Sequence, residues 1–344
     1  MKNFIELNNN EEERALDLHR NLVFINSCDS TNIKLYDTYI PKLKKGGHTA
    51  IQVTVSGINN NFSQAIRDIN KWLSLLNNIG SEHLLQINTT KDILKSKKKD
   101  KIGVIFSLQN ARPLEDDINL LTILHTIGIK IIQLTNQRRN FIGDGCGERQ
   151  DSGLSKLGIE VVEKMNKEGI LIDLSHVGYK TSMEAMEISK YPVIFSHSNP
   201  KGITEHIRNI SDLQIKALAE TGGIMGICGL SIFLNQKASS EGSTLEQYLN
   251  AIDYVVNLVG IEYVGIGLSI GYKHTEEEAI ESLREFPEFG TYGPLKHRYT
   301  RELKDASNRD VLTKGLVARG YSNKEIKKIM GENYIRVYKK VWGK

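Results

Sequence analysis

Short apolar runs recur along the chain, and amphipathic stretches separate most of them. Val, Ile and Leu fill the runs almost without interruption, a pattern typical of parallel strands that are covered by helices. The stretches between them repeat apolar residues every three or four positions, as amphipathic helices do, most clearly at 62–79, 153–168 and 244–260. The eight predicted strands are 21–26, 49–55, 102–108, 129–135, 169–175, 192–197, 222–228 and 262–268.

Eight strands that alternate with helices predict an α/β fold, a (β/α)8 TIM barrel. A doubly wound open sheet is the alternative, but no Gly-x-Gly-x-x-Gly follows the first strand in its support. No Pro- or Gly-rich linker divides the chain, so we expect one domain over residues 1–344, with a helix before the barrel and a helical extension after it. The extension, 308–342, is predicted to hold two or three helices, one of them capped by Ser322. The segment 271–300 fits no barrel element and is predicted to cross the mouth of the barrel or to form a dimer contact.

Composition narrows the class of protein. The net charge of +4 is modest, and no aromatic residues are interleaved with the one basic run, 95–101, so a nucleic-acid partner is not expected. No stretch approaches the roughly 20 apolar residues of a membrane span, and the N-terminus lacks the apolar core of a signal peptide. The three cysteines, Cys28, Cys146 and Cys228, are odd in number and far apart. These features predict a cytoplasmic, reduced protein without a membrane partner.

Two predicted strands end on Ser-His. His176 closes the fifth strand in "LIDLSHVG", and His197 closes the sixth in "PVIFSHSNP". The carboxyl ends of barrel strands meet on one rim, where such folds assemble their chemistry. Neutral imidazole is a common zinc ligand, whereas a single histidine at a strand end is more often a core or capping residue. Two histidines in the same register on neighbouring strands predict a site on this rim.

The sequence around these histidines resembles the membrane (renal) dipeptidase family. The resemblance is carried by "GLSKLGIEVVEKMNKEGILIDLSHVG", "PVIFSHSNP", "RNISDLQIKALAETGGIMGI" and "GENYIRV", in this order and spacing. "LQNARPLEDDINLLTILHTIGIKIIQLT" and "GDGCGERQDSGLS" resemble a bacterial branch of it. The resemblance implies a barrel of the metal-dependent amidohydrolase type and, usually, a homodimer. It also implies hydrolysis of dipeptides and related amides by two zinc ions that share a carboxylate and a water.

The chain departs from the family pattern where metal is bound. The His-x-Asp pair after the first strand falls on Cys28 and Ser30, and the bridging glutamate after the third falls on Gln109. A histidine that contacts the substrate and the oxyanion falls on Asn136, and the aspartate after the eighth strand falls on Ser269. Three carboxylates are therefore lost from a site built for four positive charges, which argues against two zinc ions.

Three family positions are retained. His176 and His197 match metal ligands, and Arg208 matches the arginine that binds the substrate's carboxylate. The resemblance therefore implies an anionic small-molecule ligand, with Gln109 and Ser269 as further substrate contacts. One zinc ion remains possible if the Cys28 thiolate joins the two histidines, since this donor set suits catalytic zinc. The competing interpretation makes Cys28 a small buried apolar residue, the usual fate of a free cysteine.

Two hypotheses follow. In the first, the protein is a dipeptidase-like hydrolase with no metal or one, acting on a small carboxylate-bearing amide, dipeptide or amino-acid derivative. His176, His197 and Asn136 then form the catalytic group, with the histidines as metal ligands or as general acid and base. In the second, the barrel binds a ligand or partner without turning it over. The missing carboxylates favour the second hypothesis, and the retained histidines and Arg208 favour the first.

Overall fold

A computed structural model describes residues 6–273, 275–277 and 295–343 and confirms the parallel barrel. Strand order is β1-β2-β4-β5-β6-β7-β8-β9, with β3 paired to the outside of this path on β4. The strands are β1 (Ile25–Asp29), β2 (Ala50–Thr54), β3 (Leu84–Gln86), β4 (Ile102–Leu108), β5 (Ile129–Gln133), β6 (Leu171–Asp173), β7 (Ile194–Ser198), β8 (Ile224–Ile227) and β9 (Val264–Ile266).

The last strand returns to the first. Asp29 and Ile270 form a parallel bridge, and the Ser269 amide donates to the Cys28 carbonyl at 3.0 Å. The Asn26 side chain also accepts from the Leu268 amide at 2.9 Å. Because these contacts join β1 to the chain just beyond β9, the eight-stranded sheet closes nearly completely.

Helices cover the outside of the barrel. The predicted helices at 62–79, 153–168 and 244–260 are confirmed to within three residues at each end, and the Ser322 cap is present. The helices are α1 (Asn9–Asn21), α2 (Tyr36–Lys45), α3 (Phe62–Asn77), α4 (Thr90–Lys98), α5 (Leu120–Thr126), α6 (Lys156–Glu168), α7 (Tyr179–Ile188), α8 (Asp212–Glu220), α9 (Ala238–Glu241), α10 (Leu245–Val259), α11 (Leu295–Arg298), α12 (Asp310–Ala318), α13 (Asn323–Lys327) and α14 (Asn333–Trp342), with a π-helical turn at Lys328–Glu332.

Two predictions about the strands were inaccurate. The first strand lies at Ile25–Asp29 rather than at 21–26. Helix α1 ends at Asn21, and the apolar residues 22–24 form the connection between this helix and the strand. The short strand β3 was not predicted, since only three residues pair and two of them are half-buried. Most of the segment 271–300 lies outside the described residues, so its placement over the mouth remains a prediction. Within the described ranges, no helix combines the length and apolarity that a membrane span requires.

The amino-terminal end of the barrel is filled with apolar side chains and closed by α14. One inward-facing apolar residue from most barrel strands packs against Tyr334, Val337, Tyr338 and Trp342 of this helix. The Tyr334 hydroxyl contacts Ser27 Oγ at 2.6 Å and donates to the Ile266 carbonyl at 3.1 Å. The opposite, carboxyl-terminal rim is therefore the end that is left for polar side chains.

The two tyrosines of α14 predict opposite responses to removal of a hydroxyl group. Both side chains are fully buried, but the Tyr338 hydroxyl has no hydrogen-bond partner in the described structure. We expect Tyr334→Phe to lower the free energy of unfolding by about 1–2 kcal/mol, because Ser27 loses a buried partner. Tyr338→Phe, the matched control one turn away, should leave stability unchanged or raise it. Urea denaturation measures both, and equal losses would contradict the assignment.

Candidate functional site

A cavity of about 200 Å³ opens at the carboxyl-terminal rim of the barrel. Six of the residues predicted to form a site line it, and Ser30 joins them. Cys28 does not line it. The lining residues are Ser30, Ile58, Gln109, Asn136, Gln137, His176, His197, Arg208, Leu230, Phe233, Ser269, Arg298 and Tyr299. The fold therefore brings residues that lie up to 239 positions apart into one cavity.

Two lining residues adopt a backbone conformation that side chains rarely take. His176 has φ of +67° and Ser269 has φ of +54°. Each follows a strand end closely, so the turn aims the side chain into the cavity. Left-handed backbone at a residue other than glycine costs on the order of 1 kcal/mol or more. It persists here because neighbouring backbone holds it, as the Cys146 amide does by donating to the His176 carbonyl at 2.8 Å.

The two histidines contact each other directly. Their Nε2 atoms lie 2.8 Å apart, and the ring centroids are 4.9 Å apart. The remaining ring nitrogens are also engaged. His176 Nδ1 faces Gln137 Oε1, and His197 Nδ1 lies 2.7 Å from Ser196 Oγ. Every ring nitrogen of the pair therefore has a polar atom within hydrogen-bond distance.

Behind the pair lies a buried carboxylate. Asp173 Oδ1 accepts from the amides of Ser175 and Ser196, both at 3.0 Å, and its Oδ2 lies 2.5 Å from Ser196 Oγ. Ser196 has one hydroxyl proton and three acceptors within reach, Asp173, His197 Nδ1 and Ser175 Oγ. Asp173 thus orients the hydroxyl group beside the histidine, and a continuous series of polar contacts runs from Asp173 to Gln137.

Burial determines the protonation states of His176, His197 and Asp173. Desolvation, followed by the nearby Arg208 guanidinium, lowers the pKa of both His176 and His197 well below the ordinary value. Desolvation also raises the pKa of Asp173, partly offset by its hydrogen bonds from Ser196 and Ser175. The imidazoles are therefore neutral at neutral pH, and one Nε2–H donates to the other ring.

Arg208 is held rigidly at the edge of the cavity. It is 2% exposed, its Nη2 donates to the His197 carbonyl at 3.0 Å, and its guanidinium lies 5.4 Å from the Phe233 ring centroid. Its Nε has no hydrogen-bond partner in the described structure. A buried guanidinium with an unused donor is suited to an anionic ligand, since buried charge is costly unless it is paired.

The amide side chains on the rim make contacts with the protein itself. Gln109 Nε2 donates to the Cys28 sulfur at 3.3 Å, and Asn136 Nδ2 donates to the Gln109 carbonyl at 3.1 Å. Asn136 Oδ1 in turn accepts from the Gln137 amide at 3.0 Å. The neutral amide of Gln109 thus stands where the resemblance implies a carboxylate, and that of Asn136 where it implies a histidine.

The described donor set does not fit a zinc ion. Zinc in proteins takes three or four His, Cys, Asp or Glu ligands, and no three such side chains are grouped to hold a metal within the described residues. Cys28 does not complete the predicted trio, because its sulfur faces the Gln109 amide. Burial also raises the pKa of the Cys28 thiol, so it carries its proton instead of acting as a thiolate.

Several site residues were not found by sequence reasoning. Gln137 contacts His176, and Phe233 packs on Arg208, yet neither stands in a motif that marks it. Arg298 and Tyr299 reach the cavity because Tyr299 forms an antiparallel bridge with Leu230. They come from the segment that fitted no barrel element, so only the three-dimensional structure places them.

Comparison with known proteins settles the ancestry. The family model for membrane dipeptidase, peptidase family M19, matches residues 7–289 and 296–342. This chain belongs to the membrane dipeptidase family. This match confirms the resemblance that the motifs predicted, and the family includes metal-dependent peptidases.

Curated relatives of this dipeptidase-family chain are named dipeptidases. Dipeptidase tcpJ of Claviceps purpurea is 25% identical over 292 residues, covering 82% of this chain and 63% of the relative. Dipeptidase verJ of Clonostachys rogersoniana is 27% identical over 259 residues, covering 75% and 60%. The chain thus spans less than two thirds of the length of these relatives.

Solved structures share the fold over nearly the whole chain. An amidohydrolase from Pseudomonas aeruginosa is 32% identical, with a TM-score of 0.88 over 96% of this chain and 99% of that one. A metallo peptidase from Rhodobacter sphaeroides, liganded with a phosphinate mimic of L-Ala-D-Ala, is 18% identical with a TM-score of 0.77, over 93% and 99%. The second likeness supports the fold alone.

The donor set predicts how the site responds to zinc. We expect the wild-type protein to bind zinc weakly, and the variant Cys28→His/Ser30→Asp/Gln109→Glu to bind it more than about a hundredfold more tightly, since even outer-shell changes alter metal affinity 10–100-fold. Competition against a chromophoric chelator measures both affinities. Adding His176→Gln to the restored variant is the control and should remove the gain. Tight stoichiometric zinc in the wild type would refute the prediction.

Proposed function

We propose that this protein is a dipeptidase-family hydrolase with a reduced site, acting on a small amide that bears a carboxylate. The observation that carries the proposal is a cavity whose lining includes Arg208 together with His176 and His197. A dipeptide or an acylated amino acid presents a carboxylate a few bonds from its scissile amide. Such a molecule can pair with the guanidinium while its amide faces the imidazoles.

In this proposal the protein's own side chains divide the work. Arg208 binds and orients the carboxylate, and positioning of this kind is a major source of rate enhancement. The histidine pair takes a proton from the attacking water and returns one to the leaving amine as the C–N bond breaks. Ser196 and Asp173 hold the His197 ring in place. The pair must open its mutual hydrogen bond to accept that proton, so turnover should be slow.

The contact between His176 and His197 also supports a second candidate function, ligand binding without hydrolysis. In the described structure the two imidazoles satisfy each other, and Gln137 and Ser196 satisfy their outer nitrogens. No ring nitrogen is thereby left to activate water. This arrangement favours a barrel that binds a carboxylate-bearing amide without hydrolysing it.

Binding and turnover measured on one panel separate the two candidates. The panel holds dipeptides, including L-Ala-D-Ala, and N-acyl amino acids, assayed by calorimetry and by amine release. Hydrolysis that is lost in His197→Gln supports the first candidate, and binding without hydrolysis supports the second. No binding by any carboxylate-bearing amide would refute both.

For common dipeptides we expect turnover below about 1 per second, the lower end of the usual enzyme range, with or without added zinc. The reason is the loss of the carboxylates that would hold two metal ions. Amine release from L-Ala-D-Ala at saturating concentration measures the rate. A rate within the usual range would show that the amide-lined rim replaces those carboxylates.

Arg208 should dominate ligand affinity. A charge-assisted hydrogen bond is worth about 1.5–3 kcal/mol, so Arg208→Ala should weaken binding of a carboxylate-bearing ligand by roughly ten- to a hundredfold or somewhat more. Arg208→Lys should recover only part of the loss, since lysine lacks the two-pronged geometry. Calorimetric titration of the wild type and both variants measures the effect, with thermal melting as the control for folding. Equal affinities would contradict a binding role.

A further inference from the structure

We infer that the acyl half of the ligand is apolar and extended, and that a groove opposite Arg208 binds it. The favoured substrate is then an amino acid that carries an aliphatic acyl group of medium length on its nitrogen, rather than a free dipeptide. The inference rests on the proposed function, because it takes Arg208 as the site of the ligand's carboxylate. It adds the chemical class of the rest of the substrate.

A groove of about 400 Å³ lies beside the cavity at the rim. The two spaces share three lining residues, Ser30, Ile58 and Gln109, and all three are half-buried. A ligand in the cavity can therefore extend past these side chains into the groove. The groove has about twice the volume of the cavity, so it has room for a substantial part of a ligand.

The groove lies across the barrel from Arg208. The closed path holds eight strands, and β2 and β7 are four places apart in it. Two strands four places apart in a ring of eight face each other across the barrel axis. Arg208 follows β7, whereas the groove is formed by the segments that follow β1 and β2. A ligand whose carboxylate is held at Arg208 and whose amide faces His176 and His197 therefore extends its acyl group toward the groove.

The charged side chains of the groove already have partners within the protein. Asp29 is 2% exposed, and its Oδ2 accepts from the Tyr39 hydroxyl at 2.6 Å. Asp68 and Lys71 form an ion pair with each other at 2.7 Å. Charges that are paired in this way contribute little to the binding of a ligand. The groove thus differs from the cavity, where Arg208 Nε has no hydrogen-bond partner in the described structure.

Apolar side chains supply much of the remaining lining of the groove. They are Ile33, Val55, Ile58 and Trp72. Ile33 and Ile58 are half-buried, so part of each side chain is open to a molecule in the groove. Trp72 is 5% exposed and is held edge-on against the Phe106 ring, with 6.2 Å between ring centroids. An aliphatic chain on this surface is removed from water, which favours binding in proportion to the area buried.

The test compares ligands that differ in the acyl group alone. N-acetyl-alanine and N-hexanoyl-alanine, in both configurations of the alanine, are titrated calorimetrically into the full chain. Each fully buried methylene raises affinity by up to about fourfold, so N-hexanoyl-alanine should bind about ten- to a hundredfold more tightly. Two further ligands control for the chemistry. N-hexanoyl-alaninamide lacks the carboxylate, and glycylglycylalanine is of similar length but polar, so both should bind more weakly than N-hexanoyl-alanine.

Ile33→Asp tests the groove directly, because Ile33 lines the groove and not the cavity. The preference for the hexanoyl over the acetyl ligand should fall to near unity, since a charge there would have to be desolvated by the chain. Retained binding of N-acetyl-alanine shows that the variant is folded. Leu35→Asp is the matched control, because Leu35 is half-buried in the same short helix, Ile33–Leu35, but lines neither space. It should leave the preference unchanged, and so should Ile33→Leu.

The outcomes separate the inference from the proposed function. Equal affinities of the wild type for the two acyl-alanines overturn the role of the groove and leave the proposed function intact. A hexanoyl preference that survives Ile33→Asp, or that Leu35→Asp also removes, overturns that role too. Binding of N-hexanoyl-alaninamide or glycylglycylalanine as tight as that of N-hexanoyl-alanine overturns the anionic and apolar ligand. Binding of neither acyl-alanine by the wild type overturns the proposed function itself.

Discussion

Asp173 provides the interaction on which the arrangement of the rim depends. Strands β6 and β7 share one pair of register partners, Asp173 and Ile194, so few backbone hydrogen bonds hold them together. The carboxylate of Asp173 adds to this weak seam by accepting from the amides of Ser175 and Ser196. These contacts fix the two short segments that carry His176 and His197. A buried carboxylate with several hydrogen bonds is costly to remove, which ties the position of the histidines to the integrity of the barrel.

Among the described residues, the side chains that line the cavity include no carboxylate. Where the family resemblance implies a carboxylate and a histidine, this chain has neutral amides that bond to protein atoms: Gln109 Nε2 to the Cys28 sulfur, and Asn136 Nδ2 to the Gln109 carbonyl. Such contacts keep buried polar groups satisfied without a cation. The charged groups among the described lining residues are basic, a lining that favours an anionic ligand over a metal ion.

Much of this structure could be predicted from the sequence. Eight apolar runs specified the barrel because parallel strands are buried on both faces, and Ser-His at two strand ends specified the rim. Strand β3 was not predicted, because three residues are too few to show a periodic pattern of apolar positions. Gln137 and Arg298 were not predicted as lining residues for a different reason. They reach the cavity through contacts between distant segments, and no local sequence pattern encodes such a contact. The family alignment placed Cys28 at a ligand position, but it could not show that the sulfur would be buried against the Gln109 amide, outside the lining of the cavity.

Helix α14 closes the amino-terminal end of the barrel, and this closure affects how the chain folds. Ser27, near the start of the chain, contacts Tyr334 across 307 positions of sequence, and α14 covers the apolar layer to which the earliest strands contribute. Contacts of such long range close late and slow folding. During synthesis, strands β1 to β8 therefore keep an uncovered apolar end until helix α14 has left the ribosome. This apolar layer is exposed to aggregation until α14 docks on it, and that is the interval in which a chaperone would protect the chain.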